Sequence, residues 1–324
     1  MRRRLLEDGS LEIRATAAVR DRVEPWLPRL PGTAPQGPPR ARIEVSAQDG
    51  EFDRPDAPPL IQLGSVDGWS LPQGRILLHS AKAGLSGVVD PAAMRSEIRF
   101  GPVVGSPEAE RVEVFAILTL ATAFLLGRLG RTLVHGAAVV PPDGKAWLLV
   151  GGTFSGKTTS CVNLIRHGWD YLTDDHIVLA DGPGGLWIEG WPRRFNLDEG
   201  YSAGRSVGIR IRVDPERFGP GRWRRTAPVR GLLFPTVRPG APTALASASP
   251  RQGLPLLLRQ SPWLLADPGT AGDVLGLLTS AALLPSFNLT LGEDSYRAGE
   301  RLAALLRSAE ADPPRVLDLA GHGE

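Results

Sequence analysis

The chain of 324 residues contains one cysteine, Cys161. A single thiol cannot build an internal disulfide framework or a cysteine-based zinc site. Its position in a helical stretch makes it a small core residue by expectation. Lysine is almost as scarce: Lys82, Lys145 and Lys157 are the only three among 37 lysines and arginines. Long hydrophobic runs are missing too. The longest, residues 114–127, is too short to cross a bilayer and has the length of a buried core helix, so no membrane partner is expected. The first ten residues are charged but lack an apolar segment, so no signal peptide and a cytoplasmic location are expected. The net charge of +2 does not make a polycation. The arginines are not interleaved with a stacking platform or a recognisable motif, so nucleic acid is not an expected partner. No internal repeat is present.

What is there is the composition of a globular protein, 42% apolar and 22% charged, long enough for one large domain or two. Prolines and glycines cluster at 31–39 and 55–59, which read as loops. Residues 1–105 read as a strand-rich N-terminal region, with β-like runs at 11–16, 41–46, 60–63, 75–79, 85–89 and 95–100. It carries no catalytic constellation, and its lone His79 is expected to be structural. Residues 106–311 read as an α/β core and 312–324 as a polar tail. In the core, 107–130 is a helix apolar nearly all round, hence buried. Strands follow at 131–140 and 146–150, then a helix over 157–167 and strands at 169–173, 176–180 and 186–189. Further strands are expected at 229–236, 244–247 and 287–291, with helices at 252–260, 272–284 and 296–309.

The chain is organised around one stretch. Gly151, Gly152, Thr153, Phe154, Ser155, Gly156, Lys157 and Thr158 fit the phosphate-loop pattern G-x-x-x-x-G-K-[ST] without a mismatch, and Thr159 follows. A buried strand precedes the loop and a helix follows it, which is the context the mechanism requires. Backbone N–H groups of such a loop wrap phosphates, and the helix N-terminus adds favourable dipole charge. Lys157 would reach the β- and γ-phosphates of ATP, and the Thr158 hydroxyl would ligate Mg²⁺. A composition that otherwise uses arginine keeps a lysine where a compact ammonium must fit among phosphates.

Asp174 and Asp175 end the next strand, where open α/β sheets place chemistry. One could hold Mg²⁺ and the other accept a proton from an attacking hydroxyl. The competing reading is a solvated turn between two strands. His135 lies on the strand hairpinned to the loop strand, and its neutral reading is a buried, hydrogen-bonded histidine. Residues 205–230 hold eight arginines against Asp214 and Glu216. The segment reads as an exposed, partly mobile basic stretch, either a site for an anionic group or a solvated loop.

His135-Gly136 on a strand, the glycine-rich loop, and Asp174-Asp175 after one helix and one strand form a set. Its order and spacing resembles the HPr kinase/phosphorylase superfamily, whose fold also resembles phosphoenolpyruvate carboxykinase. The resemblance covers about residues 133–306, with its motifs inside 135–175. It looks most like the HPr kinase-related proteins encoded beside peptide natural-product genes. It implies an α/β (α+β) core with a mixed sheet, ATP and Mg²⁺ as cofactors, and nucleotide contacts from Gly151, Gly156, Lys157 and Thr158. It also implies His135 near the phosphates and Asp174 and Asp175 shared between metal binding and general base chemistry. Family members assemble as oligomers in some cases, so a homo-oligomer is compatible with it. Two departures stand out: Phe154 replaces a loop glycine, and Val229-Arg230-Gly231 is only a faint echo of the downstream family signature. These weigh against HPr itself as acceptor and against the reverse phosphorylase reaction.

The expected activity is transfer of the ATP γ-phosphoryl group to a hydroxyl, foremost a serine or threonine of a precursor peptide. A small-molecule hydroxyl kinase would use the same residues. A nucleotide-binding regulatory protein with little turnover would keep the loop but would not need both aspartates. The segments 192–195 and 205–230 are candidates for closing over the substrate.

Overall fold

Eight short strands with turn residues between them form the first sheet. They are β1 (Arg2–Arg4), β2 (Leu11–Ala15), β3 (Ala41–Ala47), β4 (Ile61–Leu63), β5 (Val66–Ser70), β6 (Ile76–Ser80), β7 (Leu85–Asp90) and β8 (Arg95–Phe100). This computed structural model describes residues 1–29, 37–48, 52–102, 106–191, 193–199, 210–219, 222–292, 294 and 299–311. Most of the expected loop at 31–39, part of the basic stretch, Pro192, the start of the expected helix at 296 and the tail therefore lie outside the described residues.

The sheet order is β1-β2-β3-β8-β7-β6-β5-β4. β2, β3 and β8 run parallel to one another, β1 is antiparallel to β2, and β8-β7-β6-β5-β4 is an antiparallel meander. The six expected strands are present within a residue or two. β1 and β5 were not expected. β1 is three arginines, which no hydrophobic pattern would mark. It is paired because Glu12 on β2, fully buried, collects Arg2 at 2.5 Å and Arg14 at 2.5 Å, with Arg4 and Arg42 at 3.5 Å each. Removal from water pushes the Glu12 carboxyl up, but the bonds from Arg2 and Arg14 win and hold it below the usual range.

After α1 (Arg20–Val23), the long helix α2 (Pro107–Arg128) lies on this sheet. Ser106 caps it, its hydroxyl accepting from the Ala109 N–H at 3.2 Å. The apolar stretch Val114 to Gly127 is buried almost throughout, as its all-round hydrophobicity requires. The compact unit therefore extends past residue 105: it spans Met1–Leu133 and Pro262–Leu275, with α2 in it. Arg128 anchors there on Asp267 at 3.1 Å.

The second unit comprises Val134–Ser261 and Gly276–Glu324. Its main sheet contains β9 (Arg131–Val140), β10 (Ala146–Val150), β11 (Asp170–Thr173), β12 (His176–Gly182), β13 (Gly185–Gly190), β16 (Thr226–Val237), β17 (Ala244–Ser247) and β18 (Ser286–Leu291). β14 (Phe195–Asp198) and β15 (Arg210–Val213) make a separate antiparallel pair. β10 is antiparallel to β9 and parallel to β16, and β16 is parallel to β18, so the sheet is mixed. At 12 residues, β16 is long enough to change partners: its start pairs with β13 and its middle with β10.

Helix α3 (Lys157–Arg166) follows β10, α4 (Pro250–Arg259) and α5 (Pro268–Ala282) precede β18, and α6 (Gly299–Ala311) follows it. Cys161, Leu164 and Ile165 of α3 pack with Leu302 and Leu306 of α6 and with Trp147, Leu149, Phe287 and Leu289 from the sheet. The sequence places these apolar positions on one helix face at i, i+3 and i+4. Cys161 is accordingly a buried core residue, its thiol pushed well up, first by burial. The architecture is α/β with mixed sheets.

The basic stretch differs from expectation in its described part. Arg210 and Arg212 lie on β15, and residues 215–218 form a 3₁₀ turn. Arg224 pairs with Asp170 at 2.6 Å, Arg225 with Glu189 at 3.0 Å, and Arg230 with Asp143. Charges placed near one another by the sheet consume these arginines, so this part is ordered structure instead of a mobile basic loop.

Candidate functional site

Residues Gly151 to Gly156 form the connection between the C-terminal end of β10 and the N-terminus of α3. Both flanking elements are buried, so the loop is held at two rigid ends. Gly156 caps α3 with φ of 99°, in the left-handed region. A Cβ there would also stand 2.3 Å from Leu291 Cδ1, because β18 ends beneath it. The position demands glycine on both counts. Lys157 turns its side chain back, and Nζ donates to the carbonyls of Gly151 at 2.7 Å and Gly152 at 2.8 Å. Burial pushes its ammonium pKa down, while Asp175 and Asp174 pull it up.

The two aspartates connect β11 and β12, half-buried instead of solvated, and line the cavity beside the loop. Their surroundings separate them. Asp174 Oδ2 accepts from the Thr158 hydroxyl at 3.2 Å, and Oδ1 from the Tyr171 hydroxyl at 3.2 Å. Burial raises its pKa to about 7, reinforced by Asp175 and opposed by Thr158, Tyr171 and Arg193. Asp175 has the opposite character. Burial pushes it up, but His176, Arg193, His135 and Lys157 together hold it below the usual carboxylate range. Arg193 Nη1 donates to Asp175 Oδ2 at 3.1 Å. Arg193 is buried enough that its guanidinium is lowered to about 10, still cationic at neutral pH.

His135 on β9 is fixed twice by Gln260, at the C-terminal end of α4. Its backbone N–H donates to the Gln260 carbonyl at 2.9 Å, and ring Nδ1 lies 2.9 Å from Gln260 Oε1. With that oxygen accepting, Nδ1 carries the hydrogen. Nε2 then faces Asp175 Oδ1 at 3.5 Å. Desolvation lowers the imidazole pKa, Lys157 adds to that, and Asp175 and Gln260 oppose it. The adjoining Gly136 N–H donates to the Asp175 carbonyl at 3.0 Å, and a Cβ on Gly136 would sit 2.9 Å from the Leu149 carbonyl. The His-Gly pair thus places an imidazole and a close backbone contact on one aspartate. His176 is buried and lowered to about 3, mainly by desolvation, so it is neutral at physiological pH.

These groups share one open cavity of about 630 Å³, within the range of small-ligand sites. His135, Lys157, Thr158, Thr159, Asp174 and Asp175 line it, as do Thr153, Phe154, Ser155 and Gly156. Ten of the twelve site residues singled out from sequence line this cavity; Gly151 and Gly152 do not, and their carbonyls accept from Lys157 instead. Arg193 lies in the 192–195 turn that sequence offered for closing over the substrate, whereas sequence reasoning missed Gln260, which holds His135, and Tyr171, which donates to Asp174 from behind the cavity lining. Nothing local marked Gln260. Among the described residues, the arginines lining the cavity are Arg193 and Arg194, not those of the basic stretch.

Among the described residues, no cluster of three or more His, Cys, Asp or Glu could hold a metal. Mg²⁺ does not need one, since it keeps waters and uses one or two protein oxygens beside phosphates. Adjacent ligands of octahedral Mg²⁺ at ~2.1 Å lie roughly 3 Å apart. Thr158 Oγ1 and Asp174 Oδ2 stand 3.2 Å apart, so the donor pair fits.

No protein-family model matches the chain, and no curated protein does. Among solved structures, the chain is similar to the HPr(Ser) kinase/phosphatase from Coxiella burnetii, with 14% identity and a TM-score of 0.33. That match covers 56% of this chain and 97% of the other.

Proposed function

We propose that the protein is an ATP- and Mg²⁺-dependent phosphotransferase acting on a hydroxyl, with a serine or threonine of a precursor peptide as acceptor. One observation carries this: a lysine, a threonine–aspartate oxygen pair and a second, differently tuned aspartate meet in one cavity at the end of a glycine-rich loop.

In this reading the loop N–H groups and the α3 N-terminus hold the ATP phosphates. Lys157 leaves the Gly151 and Gly152 carbonyls and moves onto the β- and γ-phosphates, exchanging two neutral acceptors for anionic ones. Thr158 and Asp174 would hold Mg²⁺, which would supply charge neutralisation at the phosphates. Asp175 orients the acceptor hydroxyl and takes its proton as the hydroxyl oxygen bonds to the γ-phosphorus, while the bond from that phosphorus to the β–γ bridging oxygen breaks and ADP leaves. Arg193 fixes one Asp175 oxygen, and His135 stands beside the other with its Nε2 lone pair available. A carboxylate of depressed pKa is a weak base. That is tolerable because phosphoryl transfer is loose, with late proton loss and positioning as the main contribution.

The test is mass spectrometry of candidate precursor peptides incubated with the protein, Mg²⁺ and ATP. The expected result is a gain of one phosphoryl group on serine or threonine, reduced at least ~100-fold by Lys157→Ala. Wild-type transfer by that variant would overturn the reading. A phosphorylated small-molecule hydroxyl with no peptide modified would move the acceptor class and keep the chemistry.

A further inference from the structure

Phe154 is at the tip of the loop and has two features that a passive residue would not combine. Its φ is 63°, one of three positive values among non-glycine residues of the described chain. A bulky side chain rarely adopts that region. Its side chain is also 77% exposed, the most of the large apolar residues described. Such exposure and such a backbone are both unfavourable in the free protein. Strain of this kind persists where the surroundings impose it, and it clusters at ligand clamps. The phenyl lines the cavity that holds Lys157, Asp174 and Asp175. Of seven exposed large apolar side chains, Phe154 and Val237 both line that cavity. Val237 ends β16, at the same end of the sheet as the loop.

We propose that Phe154 is a specificity-determining residue that keeps water from acting as the phosphoryl acceptor. This rests on the phosphotransferase reading above. With Mg·ATP in place, the phenyl and Val237 form an apolar wall beside the γ-phosphate. Water has no hydrogen-bond partner along such a wall, whereas the substrate's hydroxyl arrives carried on its own chain and packs against it. The suppressed reaction is hydrolysis. A water oxygen forms a bond to the γ-phosphorus, the bond from phosphorus to the β–γ bridging oxygen breaks, the water proton passes to Asp175, and ADP and phosphate leave. The residue thus sets the ratio of transfer to hydrolysis. It does not set nucleotide affinity.

The experiment measures phosphate release from Mg·ATP without an acceptor, in the wild type, Phe154→Gly, Phe154→Asn and Phe154→Leu. Affinity for a non-hydrolysable ATP analogue is measured by calorimetry alongside. Glycine and asparagine both accept positive φ, so these variants remove the phenyl without adding strain. Thermal melts confirm that they fold. The expected result is phosphate release at saturating Mg·ATP raised about tenfold or more in the Gly and Asn variants, with the analogue still bound. The Leu variant, which keeps apolar bulk, should fall well below the other two. Phosphate release that is unchanged or lower in the Gly and Asn variants, with the analogue still bound, overturns the inference and leaves the kinase reading standing. If the wild type binds no nucleotide, the kinase reading fails and the inference falls with it.

Discussion

Asp174→Asn should stabilise the metal-free protein at alkaline pH and have little effect in acid. The carboxyl is pushed to about 7, against 3.8 for an unperturbed group, first by burial and then by the charge of Asp175. The folded chain therefore keeps a proton that the unfolded chain has lost. The stability this contributes is fully present below pH ~3.8 and is lost as pH rises through about 7. A shift of that size corresponds to about 4 kcal/mol at the alkaline limit, and to roughly 2–3 kcal/mol of change between pH 5 and 8. Asparagine removes the titration. It keeps one acceptor for Thr158 or Tyr171 and loses the other bond, a cost of about 1 kcal/mol. In urea denaturation with a chelator present, the variant should be about equal to wild type, or slightly more stable, at pH 5. It should be roughly 3 kcal/mol more stable at pH 8. Added Mg²⁺ with an ATP analogue should reverse the order at pH 8, because the ion would neutralise the Asp174 carboxylate, deprotonated at that pH, in the wild type only. A stability difference that does not change from pH 5 to pH 8 would refute the argument.

Two further outcomes follow from the packing. Gly156→Ala should cost roughly 2–4 kcal/mol, from the left-handed backbone and from a Cβ placed against Leu291, and calorimetric melting checks it. Glu12→Ala should cost about 1–3 kcal/mol, since Arg2 and Arg14 reach solvent once released and only Arg4 and Arg42 are left more enclosed without the carboxylate. Because the Glu12 carboxyl is held down in the fold, the wild type should lose this contribution as pH falls through the depressed value, whereas the variant has none to lose. Acid titrations of the two proteins monitored by circular dichroism would show it.

Much of the site was legible in the order of residues. A phosphate loop is a contiguous pattern whose strand and helix are its own neighbours, and Asp174 and Asp175 follow within one helix and one strand. Periodicity is likewise local, so α2, β9, β10 and the alternating strands of the first sheet were readable from short windows. The sequence by itself determined those elements and ten of the residues that line the cavity. Only the tertiary structure separated the surroundings of the two aspartates. The two aspartates are adjacent in the chain and chemically identical. They part because Tyr171 and Thr158 reach one, while Arg193 and His135 reach the other. Gln260 reaches His135 across 125 positions, a pairing that no local pattern encodes. The same reason explains β1: three arginines become a strand only because a glutamate on the neighbouring strand, buried by the sheet, needs their charge.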